Sequence, residues 1–465
     1  MKKLFVIFLL ITFTPLLCPW SLFGQGGWST LKRIEKNIVA PRFADRNYLI
    51  TEYGAVNDGK TDALPAIRKA IDLCSTEGGG RVIVPSGKFF CKGPVVLKSN
   101  VNFQVSDGAE ILFSPDENDY LPAVLTRWEG TEVYNFSPLI YAYNVKNIAV
   151  TGKGTLNGQG SKNIATWKPG QKPDQQLLRK MGTEVRPVYE RVFGKGHLLR
   201  PAFIEPVSCS NVLIEDVKVI DATFWVIHPL CCENVTVRGV RVESFNDNND
   251  GCDPESCLNV LIENCHFQTG DDAIAIKSGR DNDAWRVGQP TENVIIRNCV
   301  FDSKINGLCI GSEISGGVRN VFVENVVIKS ATDAIYFKSN LDRGGYIRNV
   351  HIKNIEVGEV RSSLIKFEPD YKHESKNNFP TLFKSFTIEN VKAESVGGTS
   401  IDISGFDLLP VQDVAIQNVK VKKALTPFVV KNVKNLKLKN VMMNDKNVNY
   451  ISDTNLLPEN KQLTN

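Results

Sequence analysis

The sequence predicts an all-β chain that folds as a single-stranded right-handed parallel β-helix, a solenoid with a helical cap at its N-terminal end. Short apolar segments that begin with Asn recur along the chain, and a second short strand follows most of them directly. From Asn211 to Asn349 adjacent members lie 23 to 34 residues apart, a period typical of repeat architectures. No helix-like segments separate these strands, which favours a β-helix. The recurring Asn residues are Asn147, Asn211, Asn234, Asn259, Asn293, Asn320, Asn349 and Asn435.

The recurring Asn fits a turn, because Asn tolerates left-handed backbone and forms local hydrogen bonds. Its side chains could also stack from coil to coil as a ladder. A β-sandwich or propeller is the alternative, but a sandwich would show alternating patterns joined by hairpins. Cys265 and Cys299 occupy matching positions of successive repeats, so we expect them to be small, buried, inward-facing residues. The sequence leaves disulfide pairing open.

The N-terminus is typical of a secretory signal peptide over residues 1–24. Lys2 and Lys3 precede an apolar run from Leu4 to Leu17, which Pro15 interrupts. A membrane anchor is the alternative, but the run is short for a span. We therefore expect an exported protein, secreted or periplasmic, without stable membrane insertion. Residues 25–50 form an N-terminal extension with no clear pattern.

The predicted β-helix domain covers residues 51–450 and begins with a cap over about 51–100. Within the cap, an amphipathic helix is predicted, with Leu64, Ile67, Ile71 and Cys74 on its apolar face. A solenoid needs such a cover over its open apolar end. An inserted basic loop over about 160–200 interrupts the repeats, and 451–465 is a C-terminal tail. Insertions of this kind lie on one face of a solenoid, often the binding face.

The overall charge restricts the possible partners. A formal charge of +4 gives no strong bulk field for nucleic acid, so local cations must hold any acidic ligand. No C-x-x-C spacing or paired His residues indicate a metal site. We expect a monomer without a cofactor or bound metal.

Three carboxylates stand in two short segments that lie close to one repeat apart. Asp250 belongs to the first segment, and Asp271 and Asp272 belong to the second. Residues one coil apart stack in a solenoid, so the three side chains should crowd one patch of its surface. Crowded carboxylates cannot all ionise, and one of them keeps its proton at neutral pH. A protonated acid beside ionised ones is what glycoside hydrolysis requires.

The chain resembles the polygalacturonase family of glycoside hydrolases, family twenty-eight, over about residues 50–440, with bacterial exo-acting members most similar. The resemblance lies in Asn248 to Asp253, in the Asp271-Asp272 pair and in the Gly307 to Glu313 segment, in the same order. It implies that Asp271 is the general acid and that Asp250 and Asp272 activate the attacking water. It also implies an inverting hydrolysis of α-linked galacturonate in pectic polysaccharide or oligosaccharide.

Two positions depart from the family pattern. Asn306 stands where the family has a catalytic-site His, and Tyr336 replaces an Arg that precedes the retained Lys338. We expect Lys338 to bind substrate mainly through charge pairing, so that its loss raises KM more than it lowers kcat. The predicted substrate-binding residues are Lys338, Asn306, His228, Lys277, Arg280 and Arg343.

Two other functions remain open at this stage. A pectate lyase-like eliminase on a similar helix would need Ca²⁺, and the Asp cluster could imitate its oxygen ligands. A non-catalytic carbohydrate-binding β-helix is conceivable because the family's His and Arg are replaced. Intact Asp250, Asp271 and Asp272 argue against a decayed site.

Overall fold

The structure is a computed structural model that describes residues 27–373 and 377–448. The predicted leader at 1–24 and the predicted tail at 451–465 lie outside the described residues. Among the described residues, no helix is long and apolar enough to cross a membrane.

Strands make up about half of the described chain, and we number them in chain order. They are β1 Asn47–Leu49, β2 Asp58–Asp62, β3 Gly80–Val84, β4 Gly87–Cys91, β5 Val95–Val96, β6 Val101–Val105, β7 Ala109–Phe113, β8 Val124–Trp128, β9 Thr131–Asn135, β10 Ile140–Tyr143, β11 Lys146–Thr151, β12 Thr155–Asn157, β13 Val192–Phe193, β14 Ile204–Val207, β15 Ser210–Glu215 and β16 Lys218–Ile220. They continue with β17 Glu233–Arg238, β18 Arg241–Ser244, β19 Leu258–Glu263, β20 His266–Thr269, β21 Ile274–Ile276, β22 Thr291–Arg297, β23 Val300–Ser303, β24 Asn306–Ile310, β25 Val318–Ala331, β26 Asp333–Lys338, β27 Tyr346–Val360, β28 Ile365–Glu368, β29 Leu382–Ser404, β30 Val411–Lys431, β31 Val433–Met443 and β32 Lys446–Asn447.

Helices are few and short in the described part of the chain. The α-helices are α1 Leu31–Glu35, α2 Leu64–Thr76, α3 Lys172–Thr183 and α4 Asp281–Val287. The 3-10 turns are Trp28–Thr30, Ile50–Tyr53, Glu117–Tyr120, Gly160–Lys162, Ile164–Trp167, Val188–Glu190 and Tyr371–His373.

Successive coils pair in parallel along three faces, which confirms the predicted β-helix. On the first face β15 pairs with β17 and β17 with β19, and on the second β16 pairs with β18 and β18 with β20. On the third face β21 pairs with β24, β24 with β26 and β26 with β28. This third face carries the candidate site.

Asn ladders run along the turns of the helix, as the sequence indicated. The backbone at Asn211, Asn234 and Asn259 is left-handed, with φ of 57°, 58° and 61°. Along these turns, Asn amides donate to the amide oxygen of the Asn one coil away, as in Asn211 Nδ2 to Asn147 Oδ1 at 2.8 Å and Asn293 Nδ2 to Asn259 Oδ1 at 2.9 Å. The ladder satisfies polar groups that every turn would otherwise leave unpaired.

Inward-facing residues of all the coils form one continuous apolar core. Cys265 and Cys299 lie in that core, as predicted. The described cysteines are free thiols: Cys74, Cys91, Cys209, Cys231, Cys232, Cys252, Cys257, Cys265, Cys299 and Cys309.

The helical cap lies where the sequence placed it. Helix α2 begins with Pro65 in its first turn and packs against β3, β5 and β6 at the N-terminal end. Its side chains Ile67 and Ile71 are buried. This packing removes the first coil's apolar interior from water, which stabilises an open solenoid end.

The insertion over 160–200 is more ordered than the predicted loop, because it contains helix α3. Pro173 and Asp174 occupy the first turn, where a missing N–H and a negative charge both favour a helix start. Leu178 is buried in a small apolar cluster with Trp128 and Phe193. The 3.6-residue period of this helix differs from that of the coils, which is why the strand pattern stops here.

The N-terminal extension, in which the sequence showed no pattern, forms a strap across the outside of the helix. Ile34 and Ile38 cover Leu261, Ile295 and Phe322, which point outward from three successive coils. The strap thus buries apolar surface that the core does not hold.

Candidate active site

The register of the third face brings the predicted carboxylates together. Cys252 pairs with Ile274, and Ile274 pairs with Leu308. Asp250, Asp272 and Asn306 each lie two residues before Cys252, Ile274 and Leu308, respectively. They therefore occupy equivalent positions on successive coils. Neighbouring strands lie about 4.8 Å apart. The neighbour of Asp250 in the stack is therefore Asp272, while Asp271 stands beside it.

A cleft of about 540 Å³ opens over these residues. Asp250 and Asp271 line it, whereas Asp272 does not and is 1% exposed. The cationic residues of the lining are Lys168, Lys172, Arg179, Lys277, Arg280, Lys338, Arg343 and Lys372. The carboxylates of the lining are Glu129, Asp250, Asp271 and Glu313. Cations outnumber carboxylates, so the cleft favours an anionic ligand.

Asp272 is held by one partner at each oxygen. Asn306 Nδ2 donates to its Oδ1 at 2.6 Å, and Lys338 Nζ lies 3.1 Å from its Oδ2. Both partners suit an ionised carboxylate rather than a neutral acid. Asn306 does not line the cleft, so the structure places it behind the carboxylate rather than against a substrate.

Asp271 is half-buried at the floor of the cleft. Asn248 Nδ2 donates to its Oδ2 at 3.3 Å, and the backbone N–H of Asp272 donates to its Oδ1 at 3.1 Å. Burial, together with the charge of Asp272, raises the pKa of Asp271 to about 6. A carboxyl with such a pKa can donate a proton near neutral pH.

Asp250 is 3% exposed and its Oδ1 has no hydrogen-bond partner. Burial and the neighbouring Asp253 and Asp271 raise the pKa of Asp250, although Lys277 Nζ lies 3.6 Å from its Oδ2. Burial also raises the pKa of Asp253 to about 7. The carboxyl cluster therefore still holds a proton near neutral pH, as the crowding argument predicted.

The predicted cationic residues form a network around Glu313. Arg280 Nη2 lies 2.7 Å from Glu313 Oε1, and Lys277 Nζ lies 3.7 Å from Oε2. Arg343 donates from Nε to the carbonyl of Ser312 at 2.9 Å and pairs with Asp281. All three cations reach the cleft, but each is also anchored to a carboxylate of the protein.

His228 is a correction to the predicted substrate-binding set. It is 0% exposed and lies behind Trp225, away from the cleft. Its Nε2 lies 2.9 Å from Glu255 Oε2, and its Nδ1 lies 3.7 Å from Glu205 Oε1. Burial alone would lower the pKa of His228, but these two carboxylates outweigh it and raise the pKa to about 10. A positively charged imidazole between two buried carboxylates has a structural role.

Several lining residues received no role from the sequence. Trp225 is one of them: its ring lines the cleft, and the ring centroid lies 4.4 Å from Nζ of the predicted residue Lys277. The insertion contributes Lys168, Lys172 and Arg179, which the sequence indicates only as part of a basic stretch. Tyr371 and Lys372 close the opposite side, and no pattern in the sequence marked them.

Within residues 27–373 and 377–448, no group of three or more His, Cys, Asp or Glu side chains could hold a metal ion. Asp250 and Asp272 are instead adjacent to lysine ammonium groups. The site therefore contains carboxyl groups in different electrostatic environments, and the carboxyl cluster holds a proton near neutral pH. The surrounding cationic side chains attract an anionic ligand. Such a set contains the acid and the base that glycoside hydrolysis requires.

Comparison with known proteins identifies the family. The model of glycosyl hydrolases family 28 matches residues 74–448. The chain belongs to this family and is a glycoside hydrolase, which confirms the resemblance and the predicted class of enzyme.

Named relatives and solved structures agree with this assignment. An exo-poly-alpha-D-galacturonosidase of Dickeya chrysanthemi is 28% identical over 391 residues, which are 77% of this chain and 64% of that protein. A probable polygalacturonase of Vitis vinifera is 26% identical over 81% of this chain and 74% of its own length. The crystal structure of a hyperthermoactive exopolygalacturonase from Thermotoga maritima superposes with a TM-score of 0.88 at 38% identity, covering 92% of this chain and 99% of that one.

Proposed function

We propose that the enzyme hydrolyses α-linked galacturonate units of pectic chains from a chain end, with inversion of configuration. The observation that carries the proposal is the cleft itself, where Asp250 and Asp271 lie under a lining richer in cations than in carboxylates. Galacturonate carries one carboxylate per sugar, and charge-assisted hydrogen bonds from Lys and Arg suit that group. The names of the relatives support the same substrate class.

The proposed chemistry assigns one task to each carboxylate. Asp271, with its pKa near 6, gives its proton to the glycosidic oxygen as the bond to the anomeric carbon breaks. A water attacks that carbon from the other side and loses its proton to Asp250, whose Oδ1 is unpartnered. Asp272, fixed by Asn306 and Lys338, places a second carboxyl group beside the water. Asp250 then releases to solvent the proton that it took from the water, and Asp271 recovers a proton from solvent, so both carboxyl groups return to their starting states.

Helix α3 supports action at a chain end. Its residues Gln175 and Arg179 both bind Glu129, at 2.8 and 2.7 Å. Gln171, just before the helix, binds Arg200, which in turn binds Asn248 beside the catalytic Asp250. The insertion thus forms one wall of the cleft beside Asn248, and we propose that this wall stops a continuing polymer.

The test is the time course of products from polygalacturonate. A chain-end enzyme releases one short product of fixed length from the first minutes, whereas internal cleavage lowers viscosity before short products accumulate. NMR of the first-formed product reports its anomeric configuration, and Asp271→Asn serves as the inactive control. A retained configuration would overturn inversion. Ultraviolet-absorbing products that disappear with chelator would instead indicate an eliminase.

We also propose export through residues 1–24, on the basis of Lys2, Lys3 and the apolar run that follows. The test is fractionation of cells that produce the full chain and a chain lacking residues 2–24. Recovery of both proteins in the same compartment would contradict export by this segment.

A further inference from the structure

A second pocket, which we call the distal pocket, lies next to the cleft. Its cavity is about 690 Å³, and it lies between the ends of β28, β29 and β30 and the loop Phe406–Leu409. The segment 369–372 separates the two sites: Pro369 and Asp370 line the distal pocket, while Tyr371 and Lys372 line the cleft. One short piece of chain therefore forms a wall common to both.

The strand register places the distal pocket in line with the cleft. Lys338 of the cleft pairs with Glu368 of the pocket on the next coil. Further along the same face, Phe367 pairs with Ile403, and Ser404 pairs with Lys431. Three strand spacings, about 14 Å, separate Lys338 from Lys431. A substrate chain that leaves the cleft in this direction would pass over the segment 369–372 to reach the distal pocket.

The charge of the distal pocket is opposite to that of the cleft. Its carboxylates are Glu368, Asp370, Asp402 and Asp407, and its cations are Lys366 and Lys431. Lys366 Nζ already lies 3.1 Å from Glu368 Oε2, and burial raises the pKa of Asp402, which shows a weakly solvated acid. A galacturonate anion would be repelled here, because like charges in a partly buried setting disfavour one another.

The rest of the pocket is suited to the apolar face of a sugar. Phe406, Leu408 and Leu409 form its overhanging edge, and Leu408 is 91% exposed. Exposed apolar residues rimmed by polar groups mark binding sites. Carbohydrate hydroxyls could donate hydrogen bonds to the carboxylates, while the C–H groups of the sugar ring pack on Phe406. Small-molecule sites commonly combine an apolar lining with a few polar groups in this way.

We propose that the distal pocket binds an uncharged pyranose unit of the substrate chain, on the far side of the bond that is cleaved. Two sources supply this chemistry, a methyl-esterified galacturonate and a neutral sugar of the pectic chain. The inference rests on the proposed function, because it presumes a pectic oligomer in the cleft. It implies that the enzyme tolerates or prefers chains that are not fully acidic.

The experiment uses oligogalacturonides lengthened one unit at a time, in three matched series: fully acidic, methyl-esterified at the added units, and extended by neutral sugars. The proposal expects kcat/KM to rise roughly tenfold at the length that reaches the pocket when the added unit is uncharged. No rise is expected in the acidic series. The esterified and neutral series distinguish the two sources. Equal values in all three series would overturn the proposal.

Variants of the distal pocket test whether the rise in kcat/KM arises there. Phe406→Ala combined with Leu408→Ala should abolish the rise while leaving hydrolysis of short acidic oligomers unaffected. Leu425→Ala is the control, because Leu425 is 75% exposed and lies outside the pocket. Asp402→Asn should improve long acidic oligomers. A rise that survives the double variant overturns the assignment.

Binding separates this inference from the proposed function. Calorimetry with the Asp271→Asn protein measures affinity for the same oligomers without turnover. Hydrolysis of short acidic oligomers without any affinity gain from uncharged units would defeat the distal pocket alone. Absence of hydrolysis with every series would defeat the proposed function, and the calorimetric comparison would still decide whether the pocket prefers uncharged units.

Discussion

The ammonium of Lys338 lies 3.1 Å from Oδ2 of Asp272, and both side chains are almost excluded from solvent. The sequence suggested that Lys338 meets substrate, and the structure adds a second function: it compensates a buried carboxylate at the centre of the proposed chemistry. We therefore expect substrate binding and the charge beside the attacking water to be coupled through this one ammonium.

The first prediction concerns Lys338→Met. From sequence alone we expected mainly a rise in KM, but the contact with Asp272 predicts a fall in kcat as well. Removing one partner of a buried pair should also cost about 3–5 kcal/mol of unfolding free energy. Steady-state kinetics and denaturant unfolding measure both effects. Lys372→Ala is the control, because Lys372 is an exposed cation of the same cleft and should change KM alone.

The second prediction separates the three carboxylates by stability. Each of Asp250→Asn, Asp271→Asn and Asp272→Asn should lower kcat by about 10²–10⁴-fold, the usual contribution of acid–base assistance. Asp272→Asn should also destabilise, because it leaves Lys338 buried without its counter-charge. Asp250→Asn and Asp271→Asn should leave stability unchanged or slightly higher, since they relieve repulsion within the cluster. Thermal melts that fall equally for all three variants would contradict this division.

The third prediction is the pH dependence of turnover. Asp271 must carry its proton to act as the acid, and its pKa is raised to about 6 by burial and by Asp272. Activity should therefore decline as pH rises through about 6. Asp272→Asn removes the neighbouring charge, so the alkaline limb of its residual activity should move to lower pH. A limb that stays in place would assign the titration to another group.

Much of the fold could be predicted from the sequence because each coil of the β-helix has the same structural requirements as the coil before it. Each Asn turn, such as Asn211 or Asn234, needs the same left-handed backbone, so the pattern recurs and the coils can be located. The proposed catalytic segment was recognisable for a similar reason, since one coil separates Asp250 from Asp272. The spacing of these residues in the sequence was thus enough to predict which of them lie above one another on successive coils.

What the sequence could not indicate was contact between distant segments. The strap residues Ile34 and Ile38 match outward apolar residues more than 200 positions away. His228 could not be assigned to the interior, because its partners Glu205 and Glu255 occupy other coils. These contacts depend on tertiary packing between distant segments, which produces no periodic pattern in the sequence.

The last prediction concerns His228, whose imidazole lies between Glu205 and Glu255 and is completely buried. Its pKa is raised from 6.5 to about 10 in the folded protein, so its stabilising effect is fully present below pH 6.5 and is lost as pH rises through 10. Unfolding free energy should therefore fall by a few kcal/mol between pH 7 and pH 10.

The check compares the slopes of stability against pH in this range. His228→Gln should be less stable at pH 7, because Glu205 and Glu255 lose their counter-charge, and its stability should fall less steeply toward pH 10. His197→Gln, in the surface insertion, is the matched control and should follow the wild-type slope. If His228→Gln keeps the full wild-type slope, the buried imidazole is neutral in the folded protein. The charge balance around Glu205 and Glu255 must then be sought in protonation of a carboxyl.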